Sequence, residues 1–346
     1  KPQSAGIYYR LIDGKSCSAK QEMFLSGENH YVVADQKQFE QIPGAPIAYW
    51  ISFKILNLMQ LGKIGDECKV VAGLCTGDNA HYIFYWHEVS STNTLFPNQN
   101  YCDKTFKFHN KGGEARKWYG NQDLVVKYNS RSIVDLEQLA GFRNDGNAYF
   151  YKASISWAKI GNKASTFRLY PKGFIFDSAG SSLFDNNEVP SYTLLGFCNS
   201  IIAKKLIEIL NPTLNASPGI IKKLPLPTEN TEIVVLVEQN ISIAKQDWNA
   251  HEISWDFQKN ELVAINEENW MDILNEYCEY SGICVDPEPP RPNSLEWLLD
   301  MYKMKWNTRF LRLRDNEEEL NRRFIEIYGL EDELTPDVPI DEVTIL

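Results

Sequence analysis

The spacing of apolar and polar positions changes character along the chain. Between about residue 60 and residue 190, short apolar runs alternate with Gly, Asn and Asp clusters, the signature of short strands joined by turns. Runs at 70–75, 82–86, 124–126, 148–151, 155–157 and 174–176 predict strands. Gly77-Asp78-Asn79 suits a turn that needs positive φ. Before that region, 48–61 predicts a helix with Ile51, Ile55 and Leu58 on one face. After it the period lengthens. Leu194, Phe197, Ile201 and Leu206 predict one amphipathic helix over 193–210, ended by Asn211-Pro212. One more strand is expected at 219–227, closed by prolines.

Helical patterning dominates from 228 onward. Helices are predicted at 233–248 and 267–280, followed by a stiff proline-rich linker at 286–292. Asn293 and Glu296 have the spacing of a capping box that opens a long helix. The acidic run 315–319 is expected to break that helix or to lie exposed; 320–328 resumes it, and Gly329 stops it. Residues 331–346 read as an acidic strap. The expected fold class is α+β: a mixed, β-rich domain followed by a helical C-terminal domain. The expected divisions are a connecting segment at 1–60 packed on the β-rich domain, that domain at 61–228, and the helical domain at 229–346.

Composition narrows the classes of function. The chain has 346 residues, 43% of them apolar, which suffices for a real core. No run of eighteen apolar residues occurs, so no membrane span is expected. The chain opens at Lys1 without a signal-peptide pattern and reads as a piece of a longer protein. Its cysteines (Cys17, Cys68, Cys75, Cys102, Cys198, Cys278, Cys284) are scattered and odd in number, which favours reduced thiols in a cytoplasm over a disulfide framework or a zinc site. The formal net charge is −11, but its distribution is uneven: −1 over residues 1–100, +6 over 101–230 and −16 over 231–346. A basic middle is joined to an acidic tail, whose repulsion of nucleic acid salt screens beyond about 8 Å.

The basic middle contains the densest chemistry. Lys111-Gly-Gly-Glu-Ala-Arg-Lys-Trp-Tyr-Gly-Asn121, followed by Lys127, combines cations, aromatics, glycines and an amide side chain. Lys and Arg meet phosphates and guanine edges, Asn pairs with adenine, and aromatic rings stack on bases. Glycine amides approach phosphate closely. Trp118 and Tyr119 have an alternative place in a core. Arg143-Asn144, Lys152, Lys159, Lys163 and Arg168 extend the basic character, as a phosphate-contacting rim or as a solvated face. Glu67-x-Lys69 is a fragment of a metal-dependent nuclease pattern, but nothing before it offers a convincing Asp on an adjoining strand. His81 and His87 are not at a helical ligand spacing. A glycine-rich adenosylmethionine loop, an Asn/Asp-Pro-Pro-Tyr/Phe turn, a complete nucleotide-binding Gly-x-x-x-x-Gly-Lys-Ser/Thr loop (Gly14-Lys15-Ser16 lacks its first glycine) and a spaced triad are all absent from the sequence. The residues alone support a binding module and no catalytic chemistry.

These same segments resemble a known family. Thr76-Gly-Asp-Asn79, Trp86-His-Glu-Val89, the 111–121 motif with Val125-Val126, Arg143-Asn144, 149–152, Ile155-Ser-Trp157 and Gly173-Phe-Ile-Phe-Asp-Ser-Ala-Gly180 are similar to the C-terminal half of PglX-type proteins. Ile42-Pro-Gly-Ala-Pro-Ile-Ala-Tyr-Trp50 and 321–336 fit as well, so the likeness spans nearly the whole chain. PglX-type proteins are the adenine-specific DNA methyltransferases of the BREX phage-defence system, related to type IIG restriction-modification enzymes. The resemblance implies an N-terminal half that holds S-adenosylmethionine and the Asn-Pro-Pro-Tyr turn, and a C-terminal half that recognises the DNA target. Only the second half is matched here. One departure is Lys127-Tyr128-Asn129, where Asn-Trp is common in the family.

The expectation is therefore a sequence-specific double-stranded DNA recognition module of an adenine-N6 methyltransferase, with no catalytic or metal-binding residue and no cofactor of its own. Its expected partners are double-stranded DNA, the methyltransferase half of the same polypeptide and other defence-system proteins. The expected DNA contacts are Lys111, Arg116, Lys117, Asn121, Lys127, Arg143, Asn144, Lys152, Lys159 and Arg168. Reversing Arg116 and Lys117 to Glu is expected to abolish site recognition while the fold persists. The rival expectations are a protein-docking scaffold, suggested by the acidic tail, and a nuclease.

Overall fold

A computed structural model describes residues 6–27, 30–33, 36–159, 166–211, 216–267, 270–283 and 294–345. The fold is α+β, with a helical C-terminal region, as the patterning implies. A four-stranded antiparallel sheet lies at its centre, in the order Phe167–Tyr170, Ser154–Trp157, Ser182–Phe184, Lys69–Val71. Strand alternation explains its two faces. Ile155 and Trp157 enter the main apolar core, while Ser154 and Ser156 are small, buried and polar. A second sheet runs Ile175–Phe176, Phe106–Asn110, Leu124–Lys127, Ile83–Tyr85, with Thr94–Leu95 pairing in parallel to Phe106–Asn110. Leu74–Cys75 pairs with Arg143–Asn144, and Gly6–Tyr9 with His30–Val33.

Helices Tyr192–Asn199, Ile201–Leu210, Thr231–Asn249 and Leu295–Tyr328 share the main core with the four-stranded sheet. Gly196 lies where two helices cross; a Cβ there would sit 2.9 Å from Val237 Cγ2. Phe197 packs on Phe324 with ring centroids 5.7 Å apart. One apolar cluster runs from Ile42 to Ile345. That cluster draws residues from both sides of position 228, because the helices supply the other wall of the same core. Among the described residues no helix is long and apolar enough to cross a membrane.

Several elements differ from their patterning. The apolar stretch 193–210 is two helices, because the Ser200 side chain accepts the amide of Ala203 and starts a new helix. Residues 148–151 form a turn rather than a strand; Tyr151 has φ 68°, and the neighbouring rings fill a satellite core. Residues 218–221 form one helical turn instead of the expected strand. The helix expected at 48–61 is confined to Phe53–Leu58, capped by Ser52. Residues 267–280 divide between Glu261–Glu267 and Trp270–Ser281. The long helix starts behind a Ser294 cap and ends at Gly329 in the left-handed conformation. Asn293 and the linker 286–292 lie outside the described residues.

That helix is unbroken through 315–319, because part of the acidic run faces inward. Asn316 and Glu317 are buried. Asn316 Nδ2 donates to Asn240 Oδ1 at 2.9 Å. Glu317 accepts from Lys117 Nζ at 2.6 Å and from Trp118 Nε1 at 2.7 Å. Removing one partner of a buried, hydrogen-bonded charge costs roughly 3–5 kcal/mol. Glu317→Ala is expected to lower the unfolding free energy by that order in urea titration. Glu326→Ala, on the exposed side of the same helix, is expected to stay within about 0.5 kcal/mol of wild type.

Candidate nucleic-acid interface

The 111–121 motif leaves the Phe106–Asn110 strand through Gly112 (φ 89°) and Gly113 (φ 77°). A Cβ on Gly112 would lie 2.9 Å from the Ala179 carbonyl oxygen, so only glycine fits that turn. Two side chains draw the turn's carbonyls inward. Asn121 Nδ2 donates to Gly112 O at 3.0 Å and to Glu114 O at 2.9 Å. Arg168 Nη2 donates to Gly112 O at 2.8 Å. Arg168 is fully buried, and no carboxylate pairs with it among the described residues. Burial lowers its pKa, Tyr170 opposes that and nearby Arg116 adds to it; an arginine is cationic throughout.

The rest of the motif is stapled to the helices. Arg116 is buried, donates through Nε to Tyr119 O at 2.9 Å, pairs with the Asp247 carboxylate and stacks on Trp248 at 5.1 Å. Lys117 pairs with Glu317, and its amide donates to Thr344 Oγ1 at 2.8 Å. Trp118, with φ 70°, is buried beside it. Arg116, Lys117 and Arg168 were expected as DNA contacts; the structure places their cationic groups in bonds inside the protein instead of on an open surface. Asn121 likewise serves as a clamp on the loop. The charge reversal expected to spare the fold would set a carboxylate against Asp247 and another against Glu317.

Beneath the loop lies a buried polar network. Asp177 accepts from Lys111 Nζ at 2.8 Å and from the Ala179 amide at 2.7 Å, and it lies 3.3 Å from His109 Nε2. Burial alone would raise the Asp177 pKa; the His109, Lys111 and Ala179 contacts outweigh it and hold the carboxyl well below the usual range. Asn110 Nδ2 donates to Ser156 Oγ at 2.6 Å, and Gly112 N donates to Asn110 Oδ1 at 3.0 Å. Ser178 N donates to Leu74 O at 2.9 Å, which ties this turn to the strand carrying Thr76.

A different set of candidates is left at the surface. Backbone pairing sets Cys75 opposite Arg143 and Leu74 opposite Asn144. The Thr76-Gly-Asp-Asn79 turn is tied internally, with Thr76 Oγ1 donating to Asn79 Oδ1 at 2.7 Å. Gly77 has φ 77°, and a Cβ there would come within 2.9 Å of Ala140 O. Tyr128 donates to Asn144 Oδ1 at 3.0 Å. Arg143 has its side chain 62% exposed, with Asp145 at 3.5 Å. Lys152 is exposed over the Tyr149 ring, and half-buried Lys127 lies over Tyr82. Lys159 is half-buried, with its amide on Ala179 O at 2.8 Å, and Lys163 lies outside the described residues. The structure thus groups Lys127, Arg143, Asn144 and Lys152 with the Thr76–Asn79 turn, over the satellite core of Leu74, Val126, Phe150 and Phe176.

A cavity of about 810 Å³ separates the 111–117 segment from the C-terminal strap 337–345. Its cations Arg116, Lys117 and Lys204 are already paired with Asp247, Glu317 and Glu342. Glu67 and Lys69 are exposed, and among the described residues no group of three potential metal ligands occurs.

No family model matches the chain. It is 33% identical over 360 residues to the adenine-specific methyltransferase PglX of Lacticaseibacillus casei (strain Zhang), covering 98% of this chain and 28% of that protein. It is 33% identical over 261 residues to the adenine-specific methyltransferase BrxX of Escherichia coli O9:H4 (strain HS), covering 74% of this chain and 21% of that protein. The chain spans about a quarter of the length of the curated relatives it matches.

The Asp177 network supports a pH-dependent prediction. Folding depresses this carboxyl's pKa, so its charge stabilises the protein above the ordinary value of 3.8. The contribution is lost as pH falls through the depressed folded-state value. Asp177→Asn is expected to cost roughly 3 kcal/mol at about pH 7. The deficit should shrink below the ordinary carboxylate pKa, as urea unfolding of both proteins across acid pH would show.

Proposed function

We propose that this chain, a homologue of a segment of the PglX-type adenine-specific methyltransferases, is the part that reads the double-stranded DNA target for adenine-N6 methylation in phage defence. The observation that carries the reading is the surface made by the Thr76–Asn79 turn, Arg143-Asn144, Lys127 and Lys152. It is rigidly based, because strand pairing and a separate apolar cluster fix it. It also offers the right chemistry. A methyltransferase must extrude its adenine from the duplex, and the pocket that receives it reads that base alone. Flanking pairs need another surface in the major groove, where all four pairs differ. Arg143 suits a guanine edge or a phosphate, and Asn144 suits an adenine edge, with its Oδ1 already oriented by Tyr128. Lys127, Lys152 and Lys159 suit phosphates and set orientation on the duplex, while Lys111 is held on Asp177.

In this reading the buried cations act indirectly. Arg116, Lys117, Arg168 and Asn121 hold the loop and its neighbours in one geometry, so the exposed groups meet DNA without reordering. S-adenosylmethionine and methyl transfer are assigned to polypeptide outside this chain, in a cytoplasmic setting.

Fluorescence-anisotropy titration with random-sequence duplex across salt tests the reading. Binding is expected to weaken steeply with salt. Arg143→Glu with Lys152→Glu is expected to weaken it roughly tenfold or more while leaving the urea midpoint unchanged. Arg116→Glu is expected to lose cooperative unfolding instead. Wild-type affinity in the double variant would overturn the reading. Capture of defence-system proteins with no affinity for DNA, alone or in the longer polypeptide, would favour a docking scaffold.

A further inference from the structure

Residues 6–27 and 30–33 form a layer with one face tied down and the other bare. The Gly6–Tyr9 and His30–Val33 strands pair only with each other among the described residues. The tied face is aromatic. Tyr8 stacks on Tyr49 with centroids 4.8 Å apart, Tyr49 donates to Tyr9 O at 2.9 Å, and Arg10 lies 4.3 Å over the Trp50 ring. The opposite face is apolar and open. Ile7 and Val32 are direct cross-strand partners, 62% and 61% exposed. Tyr9 follows on the same face, with its ring 4.7 Å from that of Phe24. Phe24 and Leu25, 50% and 73% exposed, come from the Cys17–Ser26 helix, which buries none of its residues.

A two-stranded sheet is marginal by itself, and gains independent stability when a third element covers its apolar face. A contiguous open apolar patch of this kind marks an interaction site. Its occupant follows from the lengths of the relatives. The matched segment makes up 28% and 21% of those polypeptides, so most of their length lies outside it and is tethered within reach of such a face. We propose that the Ile7–Val32–Tyr9–Phe24 face is the seat of the remaining, methyltransferase portion of a PglX-type polypeptide. Such an interface is permanent and intramolecular, which suits an apolar face better than a transient contact would. The inference rests on the homology and is independent of where DNA binds.

The test uses the full-length Lacticaseibacillus casei relative with its matched segment replaced by this chain, and no DNA. A photo-crosslinking phenylalanine analogue is placed at Ile7 or at Phe24, with Val235, 51% exposed on another helix, as control. Crosslinks from the positions of Ile7 and Phe24 are expected to land outside the segment, and those from Val235 are not. Ile7→Asp with Val32→Asp is expected to reduce the yield from the Phe24 position at least fivefold. Crosslinks confined to the segment, crosslinks to a second copy, or a yield indifferent to the double substitution would each overturn the proposal. None of these outcomes depends on DNA affinity, so this inference and the DNA reading can fail separately.

Discussion

The structure depends on a buried carboxylate with two donors. Glu317, in the middle of the long C-terminal helix, accepts from Lys117 and from the Trp118 indole, both in the β-rich part. Desolvating a carboxylate is expensive, and the cost is offset only where donors are fixed in place. Here Lys117 and Trp118 are held on one side of the contact and Glu317 by the helix on the other. Trp118 also has positive φ, a conformation that costs on the order of 1–3 kcal/mol in a bulky residue and that persists only where its surroundings over-determine it. Arg116 and Asp247 repeat the arrangement one residue earlier. The strands and helices consequently cannot separate without exposing unpaired charge, which explains a core that is continuous from Ile42 to Ile345.

That staple divides the cations into two populations. Those nearest the glycine turn face inward, toward helices or toward the loop's own carbonyls. Those on the Leu74–Cys75 and Arg143–Asn144 ladder and on the adjoining turns face solvent. The inward group gives the outward group its rigidity through a traceable route: Arg168 and Asn121 fix the Gly112 turn, Asn110 and Asp177 fix the strand below it, and Ser178 fixes Leu74. Buried Thr76 lies at the end of that route, and exposed Arg143 pairs with the strand just before it.

Fold class and much of the local structure were legible because they depend on near neighbours. The strand periods at 124–126 and 155–157, the positive-φ turn at Gly77 and the stop at Gly329 are all set within a few residues. The resemblance to PglX-type proteins was legible for the same reason, since motifs are local strings, and direct comparison bears it out. What was not legible depends on distance. Lys117 finds Glu317 two hundred positions away, and no spacing rule announces that pairing. The same contact bears on two expectations: a basic motif expected to meet DNA, and an acidic run expected to break the helix or to lie exposed. Residues 148–151 fail differently. Their aromatic content suggests a strand, but the rings fill the satellite core from a turn.

Net charge is a weak guide to this molecule's partners for the same reason. The acidic C-terminal part supplies counter-charges to its own cations and to those of the β-rich part. Glu276 pairs with Arg309 and Arg312, Glu261 with Lys305, and Asp247 and Glu317 with Arg116 and Lys117. Paired charges add little field at a distance, and exposed unpaired ones are screened beyond about 8 Å at physiological salt. The potential felt at the Arg143 surface is therefore set by groups within that radius. Those in reach include Asp78 and Asp145, each beside a basic side chain, and the lysines over Tyr82 and Tyr149. A chain of formal charge −11 can thus present a locally cationic face, because its acids are concentrated elsewhere and partly neutralised within the fold.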